Sequence, residues 1–497
     1  MLTTYFLNRW EEVKSSASTS DLRELANQIA QTFLDRFFFN DCYEDDLVAL
    51  LCEMSIHFKD EELNKVGASV LFGGIVEILC DEFEELQTKT YNRFMSHVIA
   101  ICKDHSEGSS LLEKMESFNI NSSHDLYDRA ERLRKSSSHI RDFSNTVKKI
   151  IILSRVTIGA DIAVTSVLAQ RFSKLYPQAE VILLGNSKIK GLFSANPGIR
   201  ILETGYVRRD GLMSRLKSWL DVLETIESEI KDISHSEVLV IDPDSRLSQL
   251  GLLPLIEDDS YLFFNSRKTL DLDPLMSISQ MANQWVSQLS GTDDFSYPAL
   301  WLAEDQLAIS SSFVNNFKNA GCSKFIFINL GVGGNSRKRV SDEFEKTLLL
   351  QLLKEPDTVV CLDQGFGDEE LKRSFALSVF IEKSGFPVSK VSFSKIFDIS
   401  FKNGLICMDA GISEATSMIA SSDEFIGYDS ACQHIAAALE IPAYTIFAGS
   451  NNTRFIRRWR PFGSGRNEII HVDTLSHPIA YDIDTIIMRI MHAREQK

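Results

Sequence analysis

From Lys148 onward the chain alternates short aliphatic runs with helix-patterned stretches, and it does so through two consecutive series. KKIIILSRV is too apolar to be a strand with one wet face, so it reads as a strand buried on both sides. A glycine, Gly159, and the helix-patterned ADIAVTSVLAQRFSKLY follow it. EVILLG, the helix-like SKIKGLFSA, IRILE, SEVLVIDPD and SYLFFNSR extend the first series, and SISQMANQWVSQLSG gives a helix in a connecting stretch near 270–300. The second series opens at KFIFINLGVGG. It runs through SDEFEKTLLLQLLK, DTVVCLDQG, DEELKRSFALSVFIEKSG, GLICMDA, SEATSMIASS, EFIGYDS, ACQHIAAALE and PAYTIFAG. Strand–helix alternation of this kind folds as a parallel sheet with helices on both faces. The expectation is an α/β chain of two doubly wound, Rossmann-like units, 146–300 and 301–497, the second ending in a helix. In open sheets of this type ligands bind beyond the carboxyl ends of the strands, where the strand order reverses.

Residues 1–145 have a different texture. DLRELANQIAQTFLDRFF and GGIVEILCDEFEELQTKTYNRFMSHVIAIC place apolar residues at three- and four-residue spacing, and proline is absent, so this region reads as an all-α domain. The polar cluster NSSHDLYDRAERLRKSSSHIRDF is expected to end it. With 497 residues, 44% hydrophobic and 24% charged, the chain has the composition of a soluble multidomain protein. No apolar run approaches the roughly 18 residues of a membrane span, and Glu11 and Glu12 fall where a signal peptide would need its apolar region. The eight cysteines form no CxxC pair, which suits buried thiols in a reducing compartment and a cytoplasmic location. A formal charge of −17 argues against a nucleic-acid partner.

Three segments carry candidate chemistry. In SRVTIGADIAVTSVL, Asp161 falls at the carboxyl end of the first strand and the start of a helix. There it is either a helix cap or an acid pointing toward the cleft. In NLGVGGNSRKRVSDEF, Gly331, Gly333 and Gly334 follow a strand, with Lys338 close behind. Such a loop lets backbone N–H groups approach a phosphate while the lysine neutralises it; the competing reading is a flexible, solvated loop. In FIGYDSACQHIAAALEIPAYTIFAGS, Asp429 and Ser430 open a helix whose unpaired N–H groups make a ready diphosphate site. Ala431 is small enough for close approach, and His434 lies one turn in as donor or structural histidine. Arg454, Arg457, Arg458 and Arg460 then cluster in an otherwise acidic chain. They could serve an anionic acceptor, a phosphate or the acidic N-terminal domain.

The run from Asp429 to Pro442 (DSACQHIAAALEIP) resembles the signature of the lipopolysaccharide heptosyltransferases, glycosyltransferase family 9. Ile158-Gly159-Ala160-Asp161 resembles the family's IGD segment with one extra residue, and Lys338-Arg339-Val340 its KxW element with valine for tryptophan. The resemblance spans about 150–480. It implies the GT-B type fold, two Rossmann-like domains facing a cleft, and inverting transfer from a nucleotide-diphosphate sugar without a metal or other cofactor. It also implies that Asp161 is the general base, that Lys338 and the N–H groups around Ser430 and Ala431 hold the diphosphate, and that Asp429 and His434 contact the donor. Acids near Asp368 and Glu369 would reach the donor ribose. Alanine at 431 in place of the family's glycine, and GSNNTRF in place of its threonine–proline loop, leave the sugar open. Asp242-Pro243-Asp244 spells a DxD metal motif, but at a strand end where the family uses no metal. The acceptor is a glycan, a lipid-linked molecule, with peripheral membrane contact compatible, or a protein recruited by the helical domain. A nucleotide-sugar epimerase and a non-catalytic binding module are the competing readings on the same fold.

Overall fold

The computed structural model describes residues 2–136, 147–206, 210–268, 276–395, 399–476 and 481–496. The N-terminal region is helical, from Leu2–Ser16 to Ser123–Ser136. That last helix corrects the reading of the polar cluster 121–143 as a terminator. Leu126, Ala130 and Leu133 bury its apolar face in the helical core, and ion pairs add to this: Arg134 with Glu85 and Glu131, and Arg129 with Asp258 of the α/β region. Residues 137–146 of that cluster lie outside the described set. The expectation of no membrane-length apolar stretch also needs correction. By length and composition Glu61–Asp81 could span a bilayer, yet 61% of its apolar window is buried inside the molecule.

The first sheet contains β1 (Lys149–Leu153), β2 (Glu180–Gly185), β3 (Ile199–Glu203), β4 (Val238–Asp242) and β5 (Tyr261–Phe263), in the order β3-β2-β1-β4-β5. The second contains β6 (Lys324–Asn329), β7 (Thr358–Asp363), β8 (Val388–Ser392), β9 (Gly404–Asp409), β10 (Glu424–Tyr428), β11 (Ala443–Phe447) and β12 (Asn467–His471), in the order β12-β11-β10-β6-β7-β9-β8. Every pairing is parallel, as strands so uniformly apolar require. The strand order reverses between β1 and β4 in one sheet and between β6 and β10 in the other. The expected two doubly wound units are therefore present.

The period-two alternation of each strand decides which core it joins. Ile151 and Leu153 of β1 face a core that runs without a break into the N-terminal helices, through Leu216 and Trp219 of the helix Leu212–Ile230. Ile150 and Ile152 face the opposite way, into a core shared with Phe325 and Phe327 of β6. The helical region is thus fused to one face of the first sheet, and the two sheets are fused to each other. The far face of the second sheet closes over Phe344, Leu348 and the C-terminal helix Ile483–Glu495.

Candidate functional site

Loops from both reversal points line one cavity of about 440 Å³. Arg155–Ala160 follow β1, Asp244 and Arg246 follow β4, Val332, Gly333 and Lys338 follow β6, and Asp429–Ala431 follow β10. At Gly159 the two units approach each other within the cavity. A Cβ there would stand 3.0 Å from His434 Cδ2 and 3.3 Å from Ala431 Cα, so its glycine is required by close approach. A second cavity of about 760 Å³ adjoins the first across Gly333, walled by Asn186–Lys188, Tyr206 and the loop 366–370.

On the second sheet, Lys338 Nζ donates to Asp429 Oδ2 at 2.5 Å, and Gln433 Nε2 donates to the other carboxylate oxygen at 2.5 Å. Asp429 therefore anchors the lysine beside the start of the helix Ala431–Ala438. Ser430 makes no side-chain cap to that helix, so its first N–H groups remain available at the cavity. Gly333 and Gly334 have φ of +61° and +85°, a conformation that side chains resist. Gly331 approaches Glu370, whose carboxylate also accepts the Val332 N–H at 3.0 Å. Burial pushes the His434 imidazole down to about 4, so it is neutral at physiological pH; its ring meets Trp459 edge-on at 6.3 Å. The structure thus brings Gly333, Lys338, Asp429, Ser430, Ala431 and His434 together on one wall.

Asp161 occupies the expected stretch but neither caps a helix nor faces the cavity. Its carboxylate is 1% exposed and accepts from the Ser154 hydroxyl (2.7 Å), the Arg155 N–H (2.6 Å) and the Thr165 hydroxyl (2.8 Å). The residue beyond the family's spacing is accommodated as a π-helical turn, Asp161–Thr165. Burial raises Asp161 to about 6 against the pull of those three donors. Between it and the cavity lie residues 155–160. Within them Val156 is held at φ +71°, a costly conformation for a β-branched residue.

The DPD acids are occupied by the protein itself. Asp242 turns inward to the Ser245 N–H and the hydroxyls of Ser248 and Tyr261. Asp244, at φ +66°, is bound by the Ser266 hydroxyl (2.6 Å) and by Arg267 through Nε (3.0 Å) and Nη2 (3.1 Å). Asp244 lines the cavity with Arg155, Arg246 and Arg267, none of which sequence reasoning singled out. Their proximity depends on the register of β4 and β5, although DPDSR did flag the place.

Of the partners the sequence left open for the arginine cluster, the acidic N-terminal domain is the one that Arg454 meets. Arg454 donates to Glu84 Oε1 at 2.8 Å and to the Phe83 carbonyl at 3.2 Å. Arg458, 3% exposed, donates to the Ser266 carbonyl at 3.0 Å and stacks on Phe83, while Arg460 donates to Gln280 at 3.0 Å. The short helix Thr453–Trp459 therefore ties all three regions together; Arg457 lines neither cavity of the cleft. Phe83 sits at φ +54° against Phe455 and Trp459, and with Cys80 and Asp81 it adds an N-terminal-domain wall to the cavity. The sequence carries the same signal: an acidic run around 81–85 complements the basic run 454–460.

The stretch 398–474, from before β9 to beyond β12, contains the Asp429–Pro442 run and the tying helix. It matches the model of glycosyltransferase family 9 (heptosyltransferase). No curated protein matches the chain. Among solved structures, the family 9 glycosyltransferase of Veillonella parvula is similar at 16% identity, covering 71% of this chain and 92% of that one, with a TM-score of 0.47. The ADP-heptose lipopolysaccharide heptosyltransferase II of E. coli is similar at 14% identity over 69% and 98%, with a TM-score of 0.46. A UDP-GlcNAc 2-epimerase from Methanocaldococcus jannaschii is similar at 12% identity over 70% and 93%, with a TM-score of 0.35. Upstream of the matched stretch the chain carries the first parallel sheet and the N-terminal helices.

Proposed function

We propose that the chain is an inverting, metal-independent transferase that moves a sugar from a nucleotide-diphosphate sugar to an acceptor hydroxyl in the cytoplasm. One observation carries the reading. Lys338, a glycine loop and an uncapped helix start converge at the reversal point of the second sheet, directly across from the β1 loop of the first. Such a reaction needs a stabilised leaving diphosphate, an acceptor oxygen stripped of its proton, and alignment of the two. Fixed N–H donors and a lysine in a narrow cleft supply the first, because their orientation requires no reorganisation during reaction. Packing of Gly159 against His434 and Ala431 sets the two units side by side at the cavity, which serves alignment.

For the proton we assign Asp161. An acid raised to about 6 ionises at neutral pH yet remains basic enough to accept a proton. Residues 155–160 must move aside for an acceptor to reach it, and relaxation of Val156 from its positive φ would favour that motion. A panel of nucleotide sugars screened by thermal shift, then by transfer of labelled sugar, tests the assignment, since bound donor raises apparent stability. Failure of every nucleotide sugar to stabilise the protein or to be turned over would remove it.

A specific observation favours a polypeptide acceptor over a small molecule. A further groove of about 540 Å³ leads from Gly333 and Gly334 onto the helical domain, lined by Arg23, Lys65, Ser69, Phe72 and Arg215 among others. With Glu62 and Glu77 also on its walls, it mixes charges of both signs with hydroxyl and aromatic surface, as a peptide-binding groove would. Label recovered in protein from a cell extract supports this acceptor class, and label confined to lipid or free glycan refutes it.

A further inference from the structure

Phe366 is 94% exposed, the most exposed large apolar side chain among the described residues, and it lines the cavity of about 760 Å³. Its exposure is not that of a loose loop. The Phe366 N–H donates to Glu370 Oε2 at 2.8 Å, while the other oxygen of the same carboxylate holds Val332. The Gly365 N–H donates to Asp363 at 3.1 Å, and the Gln364 N–H to the Met408 carbonyl at 2.9 Å. Gly365 and Gly367 flank the phenylalanine at φ of +77° and +86°, and a Cβ on Gly365 would stand 2.4 Å from Glu370. Two glycines and a carboxylate thus hold an aromatic ring out into the cleft, where a polar residue would have been cheaper in water.

Sheet order says what the ring would meet. The uncapped helix start follows β10, the glycine loop follows β6, and Phe366 follows β7; these strands are consecutive neighbours in the sheet. Two inter-strand steps, about 10 Å, therefore separate the diphosphate site from the ring, a reach comparable to that from diphosphate to base in a nucleotide. Asp368 and Glu369 line the same cavity next to Phe366, where carboxylates would accept from ribose hydroxyls.

Resting on the donor reading above, we propose that Phe366 is the platform on which the donor's nucleobase stacks. Stacking engages the π face that every base has, so the ring contributes affinity while base choice falls to other contacts. The test compares wild type, Phe366→Ala and Phe366→Trp by calorimetry with ADP, UDP, GDP and inorganic pyrophosphate. Phe366→Ala should weaken the best nucleoside diphosphate roughly tenfold, Phe366→Trp should retain or improve it, and pyrophosphate affinity should stay the same in all three. Equal nucleotide affinity in wild type and Phe366→Ala overturns the platform while leaving the donor reading intact. Loss of pyrophosphate binding along with nucleotide binding in Phe366→Ala also overturns it, by showing that the loop collapsed. A wild-type protein that binds pyrophosphate but no nucleoside diphosphate removes both readings.

Discussion

Replacing Asp161 by asparagine separates its chemistry from its architecture. The buried carboxyl titrates at about 6 in the folded protein, against about 3.9 in an unfolded chain. Because the folded value is the higher one, the folded state binds more protons between these two values. Stability is therefore greatest below the lower value, falls as pH rises through the window, and is level above about 6. The full drop corresponds to roughly 3 kcal/mol. Asparagine cannot ionise, so its variant should lack this drop. The variant does lose an acceptor: Ser154 Oγ already accepts the Val156 N–H at 2.8 Å and is poorly placed to take a second donor from the new amide. That costs about 0.5–1.5 kcal/mol at every pH. The two terms together make Asp161→Asn slightly less stable than wild type near pH 3.5 and more stable by about 2 kcal/mol at pH 7. Urea midpoints measured from pH 3.5 to 7.5 read the difference directly. A wild-type-minus-variant difference that does not vary with pH would refute the buried, raised carboxyl. Turnover is read on the same samples. Loss of the base should lower it roughly 10² to 10⁴-fold in a protein that still binds donor, whereas near-normal turnover leaves Asp161 with only a structural role.

Lys338→Ala should weaken nucleoside diphosphate binding by at least about tenfold in calorimetry, since only Gln433 would then hold Asp429; unchanged affinity would move the donor elsewhere. Gly159→Ala should overpack the contact with His434 and Ala431 at a cost of about 1–3 kcal/mol, with turnover falling more than the melting temperature, and a fully active variant would show that this approach of the units does not matter. Arg454→Ala removes a partly exposed ion pair with Glu84, an effect of about 0–1 kcal/mol. It should raise protease sensitivity near residues 81–84, and an unchanged digestion pattern would contradict the tie. Activity should survive a chelator, and complete loss restored by magnesium or manganese would contradict the metal-free mechanism.

The parallel sheets were legible because strands buried on both faces have few ways to be written, and KIIIL, FIFIN and TVVCLD are among them. β8 and β12 escaped notice because VSKVS and NEIIH are short edge strands with mixed polarity, recognisable only beside their neighbours. Lys338, Asp429 and Ser430 could be found since each stands within a few residues of a strand end. Asp161 was located but misoriented, because the direction of its carboxylate depends on Ser154 and Thr165 donating from within, together with a π turn. The sequence left the arginines with three possible partners, an anionic acceptor, a phosphate and the acidic N-terminal domain, because the groups they meet, Glu84, the Phe83 carbonyl and the Ser266 carbonyl, are nearly 200 or more residues away in sequence. Charge complementarity between residues 81–85 and 454–460 was the one signal pointing there.

The central claim is that a nucleotide-diphosphate sugar binds at the reversal point of the second sheet. A crystal structure with a nucleoside diphosphate tests it most directly. The account predicts the diphosphate on the N–H groups of Ser430 and Ala431 with Lys338 alongside, and the base over the β7 loop. A nucleotide lodged against β1 and β4 of the first sheet, away from Lys338, would contradict it.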